Sequence, residues 1–311
     1  MIIMRFEKEK PLSKLTTLGI GGKASFFVEV KKEEDLKVAL REASDKKMDW
    51  YVLGSGSNIV ASDKGFEGLI IKIGIKDFKK NGRRVYVGAG NNLLDFIKKI
   101  NGLGLAGMEK MAGIPGTIAG AIYGNAGAYG TEIRENITRV KIFDGEKFRW
   151  IKNSECRFGY RTSGFKKNKD WIIVGAEFSF GKRKPAELVK ISRDTIKLRE
   201  KKYKPGLLCP GSFFKNIIVK NLKPAVRKEL FPKIDRAKIM YGKLPAGYLL
   251  EEVGAKGMSS GKIKVAEHHG NLFYNAGGGT AHDIKKLAVM MKDRVLKKFG
   301  INLEEEVQYL G

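Results

Sequence analysis

Apolar positions along the first 180 residues switch repeatedly between a period of two and a period near 3.6, which marks a chain of mixed strands and helices. SFFVEV (25–30), LIIKI (69–73), RVYVGAG (84–90) and WIIVGAEFSF (171–180) read as strands. WYVLGSGSN (50–58) reads as a strand running into a Gly/Ser turn. EEDLKVALREAS (33–44) repeats apolar residues at Leu36, Ala39, Leu40 and Ala43, the spacing of one helix face, and NLLDFIKKING (92–102) reads as a helix stopped by glycine. VKIFDGEKFRWI (140–151) carries a hairpin signal, with Asp144-Gly145 at its turn. Lys182 to Pro185 breaks the pattern, and a long charged helix is expected over 186–203. The last strong signal is GGGTAHDIKKLAVMMKDRVLKKFG (277–300). Thr280 stands as N-cap with Asp283 as a shortened capping box, Leu287, Met290, Met291, Val295 and Leu296 form the apolar face, and Gly300 ends it. INLEEEVQYLG (301–311) reads as a closing strand. The class is α+β, with a larger part to residue 184 and a smaller one over 185–311.

Composition narrows the partners more than the fold. The chain has 311 residues, 42% hydrophobic, which is enough for a substantial core and argues against disorder. Its 38 glycines exceed average usage, pointing to tight turns or to a large ligand lying against main chain. The net charge of +26 favours anionic partners such as phosphorylated small molecules, although lysines scattered along the whole chain equally describe a solvated surface. Cys156 and Cys209 have no paired spacing, so a cysteine-based metal site is not expected and a reducing compartment is. The uncharged window 111–131 is too rich in Gly, with Pro115 and Asn125, for a membrane span. A cytoplasmic protein without membrane insertion is the expectation.

Three segments carry candidate chemistry. LGSGSN (53–58) delivers two Gly, two Ser and an Asn at the end of a buried strand; such a turn is either ordinary or a nest of N–H donors for an anion. In MAGIPGTIAGAIYGNAGAYG (111–130), Gly116, Gly120 and Gly124 recur every fourth residue, leaving a bare helix stripe for close packing or for a flat ligand. Pro115 suits the first helical position, and the helix start at Thr117 would offer donors to phosphate. Two donor-rich glycine segments together suggest a diphosphate-linked cofactor. GLGLAG (102–107) follows a helix rather than a strand and fails the dinucleotide context, and no P-loop is present. In GLLCPGSFFKNI (206–217), Ser212 has neither His nor carboxylate beside it and no strained hydrolase elbow, so a turn residue is its plain reading.

Taken in order, TTLGIGG (16–22), LGSGSN (53–58), AGIPGTIAGAIYGNAGAYG (112–130), YRTSGFK (160–166), GSFFKN (211–216) and GINLEEEV (300–307) resemble the UDP-N-acetylenolpyruvoylglucosamine reductases, also called UDP-N-acetylmuramate dehydrogenases. The matches span nearly the whole chain, and its length and the NAGAYG form resemble the compact type. The resemblance implies a two-lobed FAD-binding domain of the vanillyl-alcohol-oxidase-like fold over 1–184 (lobes near 1–75 and 76–184) and a substrate-binding domain over 185–311. It implies non-covalent FAD, NADPH as co-substrate, and a UDP-sugar enolpyruvyl ether as substrate, in cell-wall peptidoglycan synthesis. Ser212 would donate the proton, Arg161 steady the enolpyruvate carboxylate and enolate, and Glu306 orient the same group. Gly54, Ser55, Gly56, Ser57, Asn58, Gly116, Thr117, Gly120, Asn125, Ala126 and Gly127 would hold FAD. Tyr160, Asn216 and His269 would contact substrate. Ile217 stands where the family usually has Pro, Ala121 replaces a Gly, and Gln308 stands where some members carry Arg. The alternatives are another flavin oxidoreductase of the same fold and a basic nucleic-acid-binding protein. No metal and no nucleic acid are expected.

Overall fold

The computed structural model describes residues 4–311, and the chain separates into two compact units. The first comprises the chain up to Lys10, Ala24–Ser55 and Glu67–Lys201. Its two larger sheets form the core. One runs in the order Glu7–Pro11, Lys23–Val30, Phe66–Ile73, Asp49–Leu53, its last pair parallel. The other is antiparallel, in the order Phe148–Lys152, Ile137–Phe143, Ile172–Ser179, Arg84–Gly88, Phe78–Asn81.

Local sequence explains most of these elements. In α1 (Glu33–Asp45), Leu36, Ala39 and Ala43 are buried, and the Asp35 carboxylate accepts the Lys31 and Lys32 N–H groups at 3.0 Å each. In α2 (Leu93–Gly102), the Asn92 side chain caps the Asp95 N–H at 3.1 Å while Leu93, Phe96, Ile97 and Ile100 face the core. Asp144 closes its hairpin by accepting the N–H groups of Glu146 and Lys147. The glycine-rich stretch corrects one expectation. Its helix, α3 (Ile118–Gly124), starts three residues later than Pro115 would set it, with Thr117 as N-cap.

The long helix α4 (Pro185–Lys202) groups with the first unit as far as Lys201, whereas the sequence reading drew its line at 184. The reason is a buried polar link. Ser192 Oγ accepts from Asn101 Nδ2 at 2.7 Å and donates to the Glu109 carbonyl at 2.9 Å, while Leu188 and Thr195 bury beside it. A largely charged helix reads as solvated unless such a link is known.

The second unit draws Pro11–Lys23 and Gly56–Phe66 from the N-terminal part of the chain and adds Lys202–Gly311. It contains α5 (Pro224–Leu230), α6 (Ala246–Glu252), α7 (Ala281–Phe299) and the antiparallel strands Ser259–Ser260, Ile263–Ala266 and His269–Asn275. Phe213, Phe214 and Phe273 are fully buried at its centre, with Phe213 stacked on Phe273 at 4.6 Å between ring centroids. Helix α7 has the expected Thr280–Asp283 capping box and ends at Gly300 with φ +69°. Its buried face is Ile284, Leu287, Ala288, Met291, Val295 and Phe299; Leu296, expected inside, is 42% exposed. The closing strand is shorter than expected. Only Gln308–Leu310 forms one, parallel to Ile59–Ala61. The stretch before it is held by single bonds, Lys215 N–H to the Glu304 carbonyl (2.8 Å) and Glu306 N–H to the Phe213 carbonyl (2.7 Å).

Candidate active site

In the first unit Gly54, at the start of one glycine-rich segment, meets Thr117 of the other. A Cβ placed on Gly54 would lie 2.9 Å from Thr117 Oγ1, so a bare backbone is required there. Ser55 Oγ is buried without a hydrogen-bond partner, and so is Asn125 Oδ1. Buried orphan polar atoms are costly and mark a place where a ligand or water completes the bonding. The expected donor row at the helix start is already spent. Ile118 N–H goes to the Asn91 carbonyl (2.9 Å), Ala119 N–H to the Ala89 carbonyl (3.0 Å) and Gly120 N–H to Thr117 Oγ1 (3.2 Å). The Thr117 hydroxyl hydrogen remains as a donor, but α3 presents no cluster of free N–H groups for phosphate.

Asn125 ends α3 in the left-handed region at φ +44°. Its Nδ2 donates to Glu132 Oε2 (3.0 Å) and to the Gly159 carbonyl (2.8 Å), tying α3 to the loop that carries Tyr160 and Arg161. That loop is a tight turn in which Gly159 and Thr162 exchange N–H···O bonds of 3.0 and 3.2 Å. Arg161 sits inside it at φ +52°. Its Nη2 donates to the Gly127 carbonyl at 2.9 Å, its guanidinium lies 5.2 Å from the Tyr160 ring centroid, and its own carbonyl accepts from Lys166 Nζ at 2.9 Å. Gly127 is a glycine for another reason than ligand approach: a Cβ there would press on the Thr131 carbonyl at 2.5 Å, in the small hairpin 127–132. Ala126 is part of the same brace, its carbonyl accepting the Ile133 N–H at 2.9 Å. Nearby phenols are held neutral. Burial pushes the Tyr51 hydroxyl up to about 12, and burial raises that of Tyr123.

In the second unit, Ser212 follows Gly211, which turns the chain at φ +84°. Ser212 bridges Leu272 on one side, and the Phe213 carbonyl takes the Glu306 N–H on the other. Asn271 clamps the next residue twice, accepting the Phe214 N–H and donating to its carbonyl, both at 2.8 Å. Ser212 and Glu306 thus sit on adjacent, hydrogen-bonded stretches of chain. Asn58 joins them: its Nδ2 donates to the Glu306 carbonyl at 3.0 Å and its carbonyl accepts the Gln308 N–H at 2.9 Å. The sequence offered Asn58 to a phosphate, and the structure uses its amide to fix Glu306. Gly56 is needed because a Cβ at its φ of +65° would collide with the Leu15 carbonyl, and Ser57 lies beside it in the same turn.

Asn216 Oδ1 accepts the Ala246 N–H at 3.2 Å at the start of α6. Gly247, the next residue, leaves room for the His269 ring; a Cβ there would lie 2.5 Å from its Cε1. His269 Nδ1 accepts the Asn271 N–H at 3.0 Å, which assigns its hydrogen to Nε2. Burial, with Lys202 second, brings the imidazole down to about 4, so it is neutral near pH 7. Two side chains that sequence reasoning did not single out reach Ser212 Oγ: Tyr203 Oη at 2.8 Å and Lys202 Nζ at 3.3 Å. They end a charged helix, where a solvated role is the ordinary reading, and no local pattern sets them apart.

A model of the UDP-N-acetylenolpyruvoylglucosamine reductase C-terminal domain matches residues 205–310, and an FAD binding domain model matches 24–147. A reductase of that name from Solibacter usitatus is 43% identical over 301 residues, covering 97% of this chain and 95% of the relative. The chain belongs to the UDP-N-acetylenolpyruvoylglucosamine reductase family. It is an FAD-dependent oxidoreductase. A second reductase of the family, from Anoxybacillus flavithermus, is 32% identical over 95% of this chain and 91% of its own. The crystal structure of the Thermus caldophilus enzyme superposes with a TM-score of 0.78 at 27% identity, covering 99% of this chain and all of the other. Among the described residues no helix is long and apolar enough to cross a membrane, and no group of three or more His, Cys, Asp or Glu side chains is placed to hold a metal ion.

Proposed function

We propose that the chain reduces UDP-N-acetylglucosamine enolpyruvate to UDP-N-acetylmuramate with NADPH, in the cytoplasmic supply of peptidoglycan precursor. Bound FAD would supply the hydride chemistry that links NADPH to the enolpyruvyl double bond. In the first unit, Ser55, Thr117 and Asn125 offer hydroxyls and an amide oxygen to the cofactor, and Gly54, Gly116 and Gly120 leave its path bare. Gly56, Ser57 and Asn58 shape the neighbouring turn, while Ala126 and Gly127 support Arg161.

Ser212 donates a proton to the carbon that becomes basic when its neighbour gains hydride. A serine is a weak acid, but an enolate-like carbon is a strong base, and general acid catalysis is worth ~10²–10⁴ in rate. Arg161 steadies the carboxylate and the developing enolate oxygen. Glu306 orients the same group, and Tyr160, Asn216 and the neutral Nε2–H of His269 hold the substrate. The observation that carries this reading is the pairing of Ser212 and Glu306 through the 2.7 Å Glu306 N–H to Phe213 carbonyl bond. The test is Ser212→Ala followed by stopped-flow absorbance of the flavin. Reduction by NADPH stays near the wild-type rate, and reoxidation by the enolpyruvyl substrate falls by about 10²-fold or more. Reoxidation at the wild-type rate removes Ser212 as the donor.

A further inference from the structure

Ser212 Oγ lies 2.8 Å from Tyr203 Oη, and Lys202 Nζ donates to it at 3.3 Å. A hydroxyl has one hydrogen and two acceptor sites. Either hydroxyl can donate in the Ser212–Tyr203 bond; when the Tyr203 O–H donates beside the Lys202 ammonium, both acceptor sites of Oγ are filled and the serine's own hydrogen is left for another acceptor. A proton donor to carbon needs that arrangement. The Lys202 ammonium also sits 4.9 Å from the Tyr203 ring centroid, so one cation borders both the serine oxygen and the tyrosine ring. The segment is anchored. The Lys202 carbonyl lies 2.8 Å from His268 Nε2, and since a carbonyl only accepts, the ring donates. On the serine side the backbone is fixed by its bridge to Leu272 and by the Gly211 turn.

We propose that Tyr203 relays a proton to Ser212 during the reduction step, an inference that rests on Ser212 being the donor to carbon. The Ser212 O–H bond breaks as a C–H bond forms at the carbon holding the electron pair. The pair left on Oγ takes the hydrogen of Tyr203. The phenolate, beside the Lys202 ammonium, then takes a proton from water. A phenol is a stronger acid than an aliphatic alcohol, so the second transfer runs downhill and spares the site a free serine alkoxide. The relay adds no redox change to the hydride transfer.

Tyr203→Phe removes the relayed hydrogen and keeps the ring. Flavin reoxidation by the enolpyruvyl substrate is followed in stopped flow across mixtures of H₂O and D₂O. In wild type the rate curves with deuterium fraction; in Tyr203→Phe one exchangeable hydrogen fewer is transferred, so the curvature falls and the rate slows by about 10²-fold, the low end for a general acid. Substrate affinity, read from the perturbed spectrum of the oxidised flavin, stays within about twofold, as one lost neutral contact away from the substrate would leave it. An unchanged rate, or a slower rate whose curvature equals that of wild type, overturns the relay. Ser212→Ala separates the two ideas. If it reoxidises normally, the role of Ser212 itself fails. If it is slow while Tyr203→Phe behaves as wild type, only the relay fails.

Discussion

Arg161 holds a backbone conformation that arginine rarely adopts, at φ +52°. A left-handed non-glycine residue costs of order 1–3 kcal/mol, and such strain persists only where the surroundings enforce it. Here the Gly159–Thr162 pairing, the Asn125 brace and the Gly127 carbonyl do so. The fold therefore holds the guanidinium in place, and in the proposed reaction it would be aimed before substrate arrives. Replacing it by Lys keeps the charge and loses the fork, and kcat is expected to fall by about 10²–10³, as for loss of one donor to a developing oxyanion. Steady-state turnover checks this. His269 gives a pH expectation. Its folded value, about 4, lies below the free-imidazole value near 6.5. The unfolded chain binds the proton first, so this residue's contribution to stability is whole above about pH 6.5 and is lost as pH falls toward 4. Thermal melting of His269→Gln should show a shallower acid slope than wild type across that window, and an identical slope would rule out His269 as the source. At this scale the sequence named Ser212, Arg161 and Glu306 through motif order. It could not assign Asn58 to the Glu306 carbonyl or Tyr203 to Ser212, because those bonds join distant or pattern-free positions.

Among the elements, α7 shows what local sequence can and cannot set. Its start and stop were legible because Thr280, Asp283 and Gly300 act on their own turns. Its second N-terminal partner was not. Asp63 accepts the Ala281 N–H at Oδ1 (2.8 Å) and the His282 N–H at Oδ2 (3.0 Å), from a segment more than two hundred residues earlier. A carboxylate on the open N–H groups of a helix is stabilised both by charge-assisted bonds and by the helix dipole. Asp63→Ala is expected to cost about 2 kcal/mol, measured by urea unfolding with an unchanged m-value. The cost should fall on the second unit, where Gly22 and Gly65 N–H groups share the Ser62 carbonyl next to Asp63. The glycine stripe of α3 is the opposite case. Its spacing was legible, but no close packing accounts for it: a Cβ on Gly124 would meet nothing within 4 Å and one on Gly120 only Thr117 Oγ1 at 3.5 Å.

For the molecule as a whole, the net charge of +26 acts on rates more than on fold. NADPH and a UDP-sugar are both anionic, so a strongly basic protein raises their encounter rates. Raising ionic strength from about 0.01 to 0.15 M shortens the Debye length from roughly 30 to 8 Å. kcat/KM for both substrates should drop by about tenfold over that range, with kcat nearly constant; a flat salt profile would mean that the lysines only solubilise. The α+β class was legible from periodicity, but the membership of the second unit was not. Residues 11–23 and 56–66 carry ordinary turn and strand signals, and nothing within them tells that their partners lie beyond residue 202.

The parallel pairing of Ile59–Ala61 with Gln308–Leu310 sets a waiting time during synthesis. At about 5–20 residues per second, the earlier strand leaves the peptidyl-transferase centre roughly 12–50 s before its mate is made. For that interval its three apolar residues and their open backbone need shelter, from a chaperone or from non-native pairing. Nascent chains stalled short of position 308 should therefore be protease-sensitive across 56–66, while release of the finished polypeptide quenches that cleavage.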